Sequence, residues 1–169
     1  MRKPSSAIVA TFGLVLAVDQ ISKSVVRHEL SVCSAPPVSL CDRWSIAGPL
    51  GVLRTENGDG AFGVLPGGLI GPLLLLVIAT LWVLARQLPD RPLVAIAAGL
   101  VLGGTVANLV DRAMFGVVTD FIDLRWGSAD RGVVLNPADV ALAVGGVILA
   151  LMIDRALRQP HQKAGLSIA

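Results

Sequence analysis

The 169-residue chain has no tyrosine, only two histidines and two cysteines, and charged side chains at just 15% of its positions. Each scarcity excludes something. His28 and His161 read as lying on opposite sides of a membrane, and neither they nor Cys33 and Cys41 make a cluster with zinc-ligand spacing. No serine has an evident histidine base, and no glycine-rich loop follows a strand to cradle phosphate. The 14 Lys and Arg residues form no basic stripe, so no nucleic-acid partner is expected. Without tyrosine, any aromatic belt at a membrane interface rests on Trp44, Trp82 and Trp126.

What fills the chain instead is apolar. Hydrophobic residues make up 54% of it, more than a soluble core of this size needs, so membrane integration is the expected class. Four windows, approximately 6 to 26, 68 to 86, 92 to 113 and 137 to 155, approach the roughly 20 apolar residues that cross about 30 Å of hydrocarbon. Arg2 and Lys3 precede the first, Arg86 and Arg91 bracket the short turn between the second and third, and Arg155, Arg158 and Lys163 follow the fourth. Under the positive-inside rule these ends face the cytoplasm. The outer side then holds 27 to 67 and 114 to 136, whose Arg27, Arg43, Arg54, Arg125 and Arg131 are mixed with acids. The opening "MRK" and "AIVATFGLVLAV" also fit a cleavable signal peptide, and "LSVC" at 30 to 33 faintly matches a lipobox. No small-x-small site follows the apolar run, Val32 is bulky, and the charges at Asp19, Lys23 and Arg27 suit neither, which favours a retained helix.

The expected fold is thus an all-α membrane protein of four transmembrane helices, one integral membrane domain over 1–169, with a small extracytoplasmic β module at 31–66 between the first two helices. That segment is rich in Pro, Ser and Gly and has short β-like runs such as "GVLRT". Its Cys33 and Cys41 would meet an oxidising compartment; a disulfide and two free thiols both remain open.

Ionisable residues in membrane spans are costly and mark function by default. Asp19 and Lys23 sit four apart on one face of the first helix, where they either anchor it as an ion pair or take part in chemistry. "GGTVANLVDR" at 103 to 112 supplies Gly103 and Gly104 for close helix approach, and sets Asn108 on a face with Asp111 and Arg112. Asp111 reads equally as part of a buried interhelical network. In "LNPAD", Asn136 suits an N-cap and Pro137 the first helical position, so Asp139 falls in the first turn, where the helix dipole favours negative charge. Capping alone explains Asp139, but not Asp120 in "VVTDFIDL", which sits on an irregular segment among apolar neighbours. Two carboxylates facing each other at the membrane surface share one proton. Such a pair activates water and protonates a leaving amine, which is aspartyl proteolysis. Asp123, beside Leu124 and Arg125, reads as a rim charge.

In order and spacing, "VDQISK", "RTENGDGAFG", "GGTVANLVDR", "VVTDFIDL" and "LNPAD" together resemble the signal peptidase II family, the bacterial lipoprotein signal peptidases, over nearly the whole chain. The resemblance implies an intramembrane aspartyl endopeptidase with four helices and a small outer β cradle. It would cut diacylglyceryl-modified prolipoproteins just before the lipid-bearing cysteine, in the bacterial inner membrane, with its site near the outer face. Asp120 and Asp139 fall on the family's catalytic pair. Asp19, Lys23, Asn57, Asn108, Asp111, Arg112 and Asn136 match polar positions that shape its site or hold substrate. No metal or organic cofactor is implied; the partners are lipid-modified prolipoproteins and membrane phospholipids, and the enzyme is expected to be monomeric. Three positions depart from the family pattern: Asp59 for a glycine, Ala107 for the glycine before Asn108, and Leu135 for the phenylalanine before Asn136.

Two other classes compete. A small transporter would string Asp19, Asp111 and Asp139 into a proton relay through the membrane depth, whereas here the acids cluster at the outer helix ends. A non-catalytic assembly factor would tolerate loss of Asp120. The charge pattern also sets orientation: with both termini cytoplasmic, a cysteine introduced at Ser167 is expected to stay unlabelled by an impermeant thiol reagent in intact cells and to react after permeabilisation.

Overall fold

The computed structural model describes residues 6–33, 41, 43–58, 92–126 and 132–165. Three long helices, α1 (Ser6–Glu29), α2 (Pro92–Phe115) and α3 (Pro137–Gly165), carry a four-stranded sheet of β1 (Trp44–Ala47), β2 (Leu50–Asn57), β3 (Val118–Arg125) and β4 (Gly132–Leu135). All three helices are long and apolar enough to cross a membrane, α3 over Pro137–Arg155. The expected span at 68 to 86 lies outside the described residues, as do Asp59 and Trp82.

The helices are apolar outside and partly polar inside. On α1, Leu14, Val18, Ile21 and Val25 form an exposed stripe, while Val15, Asp19, Lys23 and Val26 are buried. Both sets recur at spacings of three and four, the period of a helix face. This arrangement suits hydrocarbon, where apolar residues face lipid and polar ones must find partners within the protein. α3 repeats the outward stripe with Val140, Val144, Val147 and Leu151.

α2 lies between the other two helices, and small residues let it approach both. A Cβ on Gly103 would stand 2.8 Å from Val15 Cβ and 3.1 Å from the Phe12 carbonyl on α1. One on Gly104 would collide with the Ala138 carbonyl at the start of α3. The core below is closed by Val94, Ala97, Val101, Leu149 and Met152. α2 stops at Gly116, whose φ of 76 and amide bond to the Arg112 carbonyl at 3.0 Å make a left-handed helix end.

The sheet is antiparallel in the order β1-β2-β3-β4. It corrects the expected module at 31–66, because β3 and β4 come from the connection between α2 and α3. It also corrects the reading of 117 to 124 as irregular: Asp120 pairs with Thr55 and Ile122 with Val52 and Leu135. Asp is a poor strand former, yet Val118, Thr119, Phe121 and Ile122 are good ones, and β2 pairs with the strand along its length, joined from Ile122 onward by β4. Asp123 is no rim charge; it is 2% exposed and paired with Arg43 and Arg125. Val26, Leu30 and Phe121, with Val52 and Ile122 packed against them, seat the sheet on the end of α1. Cys33 and Cys41 form a disulfide, and the Arg54 guanidinium donates to the Arg27 and Leu30 carbonyls at 3.0 and 3.2 Å, closing that end.

Close packing at Gly103 can be tested directly. Gly103→Val forces side-chain and backbone shifts and is expected to lower stability by about 1–3 kcal/mol. Gly13→Ala, at a helical position where a new Cβ meets nothing within 4 Å among the described residues, is expected to leave the unfolding midpoint in detergent no lower than the parent's.

A candidate active site at the junction of helices and sheet

Lys23 is fully buried, and its ammonium has three acceptors: Asp19 Oδ2 at 2.8 Å, Asp111 Oδ2 at 2.9 Å and Asn108 Oδ1 at 2.9 Å. An ammonium has three protons to give, so none is left unpaired. Asp111 also accepts Arg27 Nη2 at 2.7 Å, Gln20 Nε2 at 3.1 Å and the Thr119 amide at 3.2 Å. Asp19 accepts the Ala138 amide at 2.9 Å, supplying a partner to an otherwise orphaned donor in the first turn of α3. The expected Asp19–Lys23 pair is therefore part of a balanced cluster of two acids and two bases.

Asn108 carries the network onward. Its Oδ1 accepts Lys23 and, at 3.2 Å, Asn136 Nδ2, while its own Nδ2 donates to Asp139 Oδ1 at 2.9 Å. Asn136, also fully buried, joins the two remaining acids. Its Nδ2 donates to Asp120 Oδ1 at 2.6 Å, and its backbone amide donates to Asp139 Oδ2 at 3.2 Å. In return, Asn136 Oδ1 accepts the Asp139 amide at 2.8 Å. This reciprocal pattern is a capping box with Asp at its third position. Capping therefore holds for Asp139 and also fixes the acid beside Asp120.

Asp120 is 6% exposed on β3. Burial foremost, and then the negative charge of Asp139, push its carboxyl up to about 6; hydrogen bonds from Asn136 and Asn57 and the charge of Lys23 act the other way. Asn57, at the end of β2, thus reaches the site as expected. Arg112 lies within electrostatic reach of both Asp120 and Asp139. Among the described residues its guanidinium makes one long hydrogen bond, Nη1 to the Asn108 carbonyl at 3.4 Å. Asp111 and Arg112, adjacent in sequence, accordingly face different partners.

A family model described as signal peptidase (SPase) II matches residues 11–155. The chain belongs to the signal peptidase II family. A lipoprotein signal peptidase of Moorella thermoacetica is 36% identical over 140 residues, covering 80% of this chain and 85% of that protein. One from Syntrophomonas wolfei is 37% identical over 145 residues, covering 85% and 89%. A solved structure described as a bacterial membrane enzyme superposes with a TM-score of 0.74 at 20% identity, covering 92% of this chain and 93% of that one, a likeness of fold. Apolar helices and that fold together make this signal peptidase II relative a membrane protein, and its family makes it a protease.

Three residues of the site were missed by sequence reading: Gln20, Arg27 and Thr119. Arg27 continues the four-residue spacing of Asp19 and Lys23, and Gln20 is one residue from Asp19, so a helical projection of α1 would have found both. Nothing local marks Thr119.

The buried charge cluster makes a sharp expectation. Lys23→Met leaves Asp19 and Asp111, both fully buried, without a shared counter-charge, and is expected to cost about 3–5 kcal/mol in detergent denaturation. Arg158→Met, which breaks a pair whose side chains are 79% and 52% exposed, is expected to cost less than about 1 kcal/mol.

Proposed function

We propose that the protein, whose family removes signal peptides from prolipoproteins, does so as an aspartyl endopeptidase with Asp120 and Asp139 as its dyad. The observation that carries this reading is Asn136, which hydrogen-bonds both carboxylates at once and leaves them under each other's influence. Two acids so close cannot both ionise easily, and Asp120 is the one that keeps the proton. Ionised Asp139 takes a proton from water as the oxygen attacks the scissile carbonyl carbon. Neutral Asp120 gives its proton to the carbonyl oxygen. The tetrahedral gem-diol then collapses: the C–N bond breaks as the proton gathered on Asp139 passes to the leaving nitrogen, and one hydroxyl returns its proton to Asp120, which leaves a carboxylic acid and the starting dyad.

The surrounding residues divide into supports and contacts. Asp19, Lys23 and Asp111 are consumed in ion pairs, which favours proteolysis over a proton relay. Asn108 and Asn136 orient the acids, and Asn57 hydrogen-bonds Asp120. Arg112, which makes one long hydrogen bond among the described residues, offers its planar donors to substrate peptide carbonyls or to a lipid phosphate. The substrate carries a diacylglyceryl cysteine and is cut just before it. The enzyme works as a monomer among phospholipids of the inner membrane, with four helices, cytoplasmic termini and the dyad near the outer face.

The test is cleavage of a lipidated prolipoprotein by purified protein. Both Asp120→Asn and Asp139→Asn are expected to abolish release of the signal peptide while remaining folded and membrane-inserted. The parent rate is expected to fall as pH rises through about 6, because Asp120 then loses the proton that it must donate. The sign for stability follows from the same shift. A carboxyl raised above its unfolded value of about 3.9 stabilises the fold fully below that pH, and this contribution is lost as pH climbs through about 6. Asp120→Asn is therefore expected to be at least as stable as the parent at about pH 7. Turnover in folded Asp139→Asn would reduce that residue to a helix cap and sink the mechanism.

A further inference from the structure

Arg27 stands at the outer end of α1 and takes no part in the chemistry described above, yet it touches α2 and β3 together. Its Nη2 donates to Asp111 Oδ1 at 2.7 Å and its Nε to Thr119 Oγ1 at 2.9 Å. The Thr119 amide in turn donates to Asp111 Oδ2 at 3.2 Å, which closes a ring through one guanidinium, one carboxylate and one threonine. The guanidinium also lies over the Phe115 ring, 4.1 Å from its centroid, at the last residue of α2. Between Phe115 and Thr119 the chain turns through Gly116 and Val117 into the strand that bears Asp120.

Successive side chains of a strand point to opposite faces. Thr119 points to Arg27, so Asp120 points the other way, to Asn136 and the charge of Asp139. A tether on one face of β3 thereby sets the depth and direction of the acid on the other. We propose that Arg27 is a positioning residue, which acts through the Thr119 hydroxyl to hold Asp120 in the geometry for proton transfer. The inference rests on the reading of Asp120 as half of the dyad. Lysine cannot replace Arg27, since a single ammonium lacks the fork that reaches both Asp111 and Thr119 while stacking on Phe115.

The experiment measures kcat and KM for a lipidated prolipoprotein with the purified full chain and four variants: Arg27→Lys, Thr119→Val, their double variant and Thr119→Ser. Small misplacements of a reacting group cost rate, so Arg27→Lys and Thr119→Val are each expected to lose about 10- to 100-fold in kcat, with KM within about twofold. The double variant is expected to be no slower than the slower single one, because both remove one interaction. Thr119→Ser, which keeps the hydroxyl, is expected to restore the parental rate. Multiplicative losses in the double variant, an effect on KM alone, or a Ser variant as slow as the Val one would overturn the proposal. Should Arg27→Lys fail to fold, the Val and Ser variants at 119 decide it between them. Activity surviving in Asp120→Asn would condemn the dyad itself; a dead Asp120→Asn beside a fully active Thr119→Val would condemn only the positioning role.

Discussion

A lysine ammonium buried between two membrane-spanning helices is tolerable only if every proton on it is taken. Lys23 meets that condition with acceptors from α1 and α2, and the rest of the polar interior depends on it. Asp19 is held to receive the first turn of α3, Asp111 to receive β3, and Asn108 to reach Asp139. One cation thus ties three helices and the sheet into a single junction. In an apolar surrounding such a network is rigid because any member left unpaired is expensive.

The junction separates charge that is settled from charge that is not. Asp19, Asp111, Lys23 and Arg27 cancel one another. Among the described residues, Asp120 and Asp139 have only amide donors at bonding distance, with Arg112 in electrostatic reach. Amides orient a carboxylate without fixing its proton as a salt bridge would, so the dyad keeps its capacity to exchange one. This is the physical difference between the acids that build this site and the acids assigned to react in it.

Local chemistry was legible in the chain and distant chemistry was not. Asn136, Pro137 and Asp139 announce a helix start within four residues, and the capping box stands where they put it. The three described spans follow from length and apolarity, and Asp19 and Lys23 from helical spacing. The strand character of Asp120 depends on Thr55, 65 residues earlier, and no local pattern reports that pairing. Asp123 was misread for the same reason, since Arg43 lies 80 residues away. Arg27 belongs to the site through Asp111 and Thr119, at separations of 84 and 92. The resemblance to a family supplied residues of the site but not the geometry that connects them.

The Cys33–Cys41 bridge makes one restraint on the sheet region depend on its redox surroundings. It spans eight positions just beyond α1, and the Cys33 amide donates to the Arg54 carbonyl at 2.8 Å, so it fastens the start of the sheet region to strand β2. Thiols pair outside the reducing cytosol, and a loop this short removes about 2–3 kcal/mol of unfolded-chain entropy when closed. The covalent fastening therefore forms only where the stretch that follows α1 meets an oxidising compartment. A chain kept under reducing conditions lacks that restraint, and its sheet is held to the end of α1 by packing and hydrogen bonds alone.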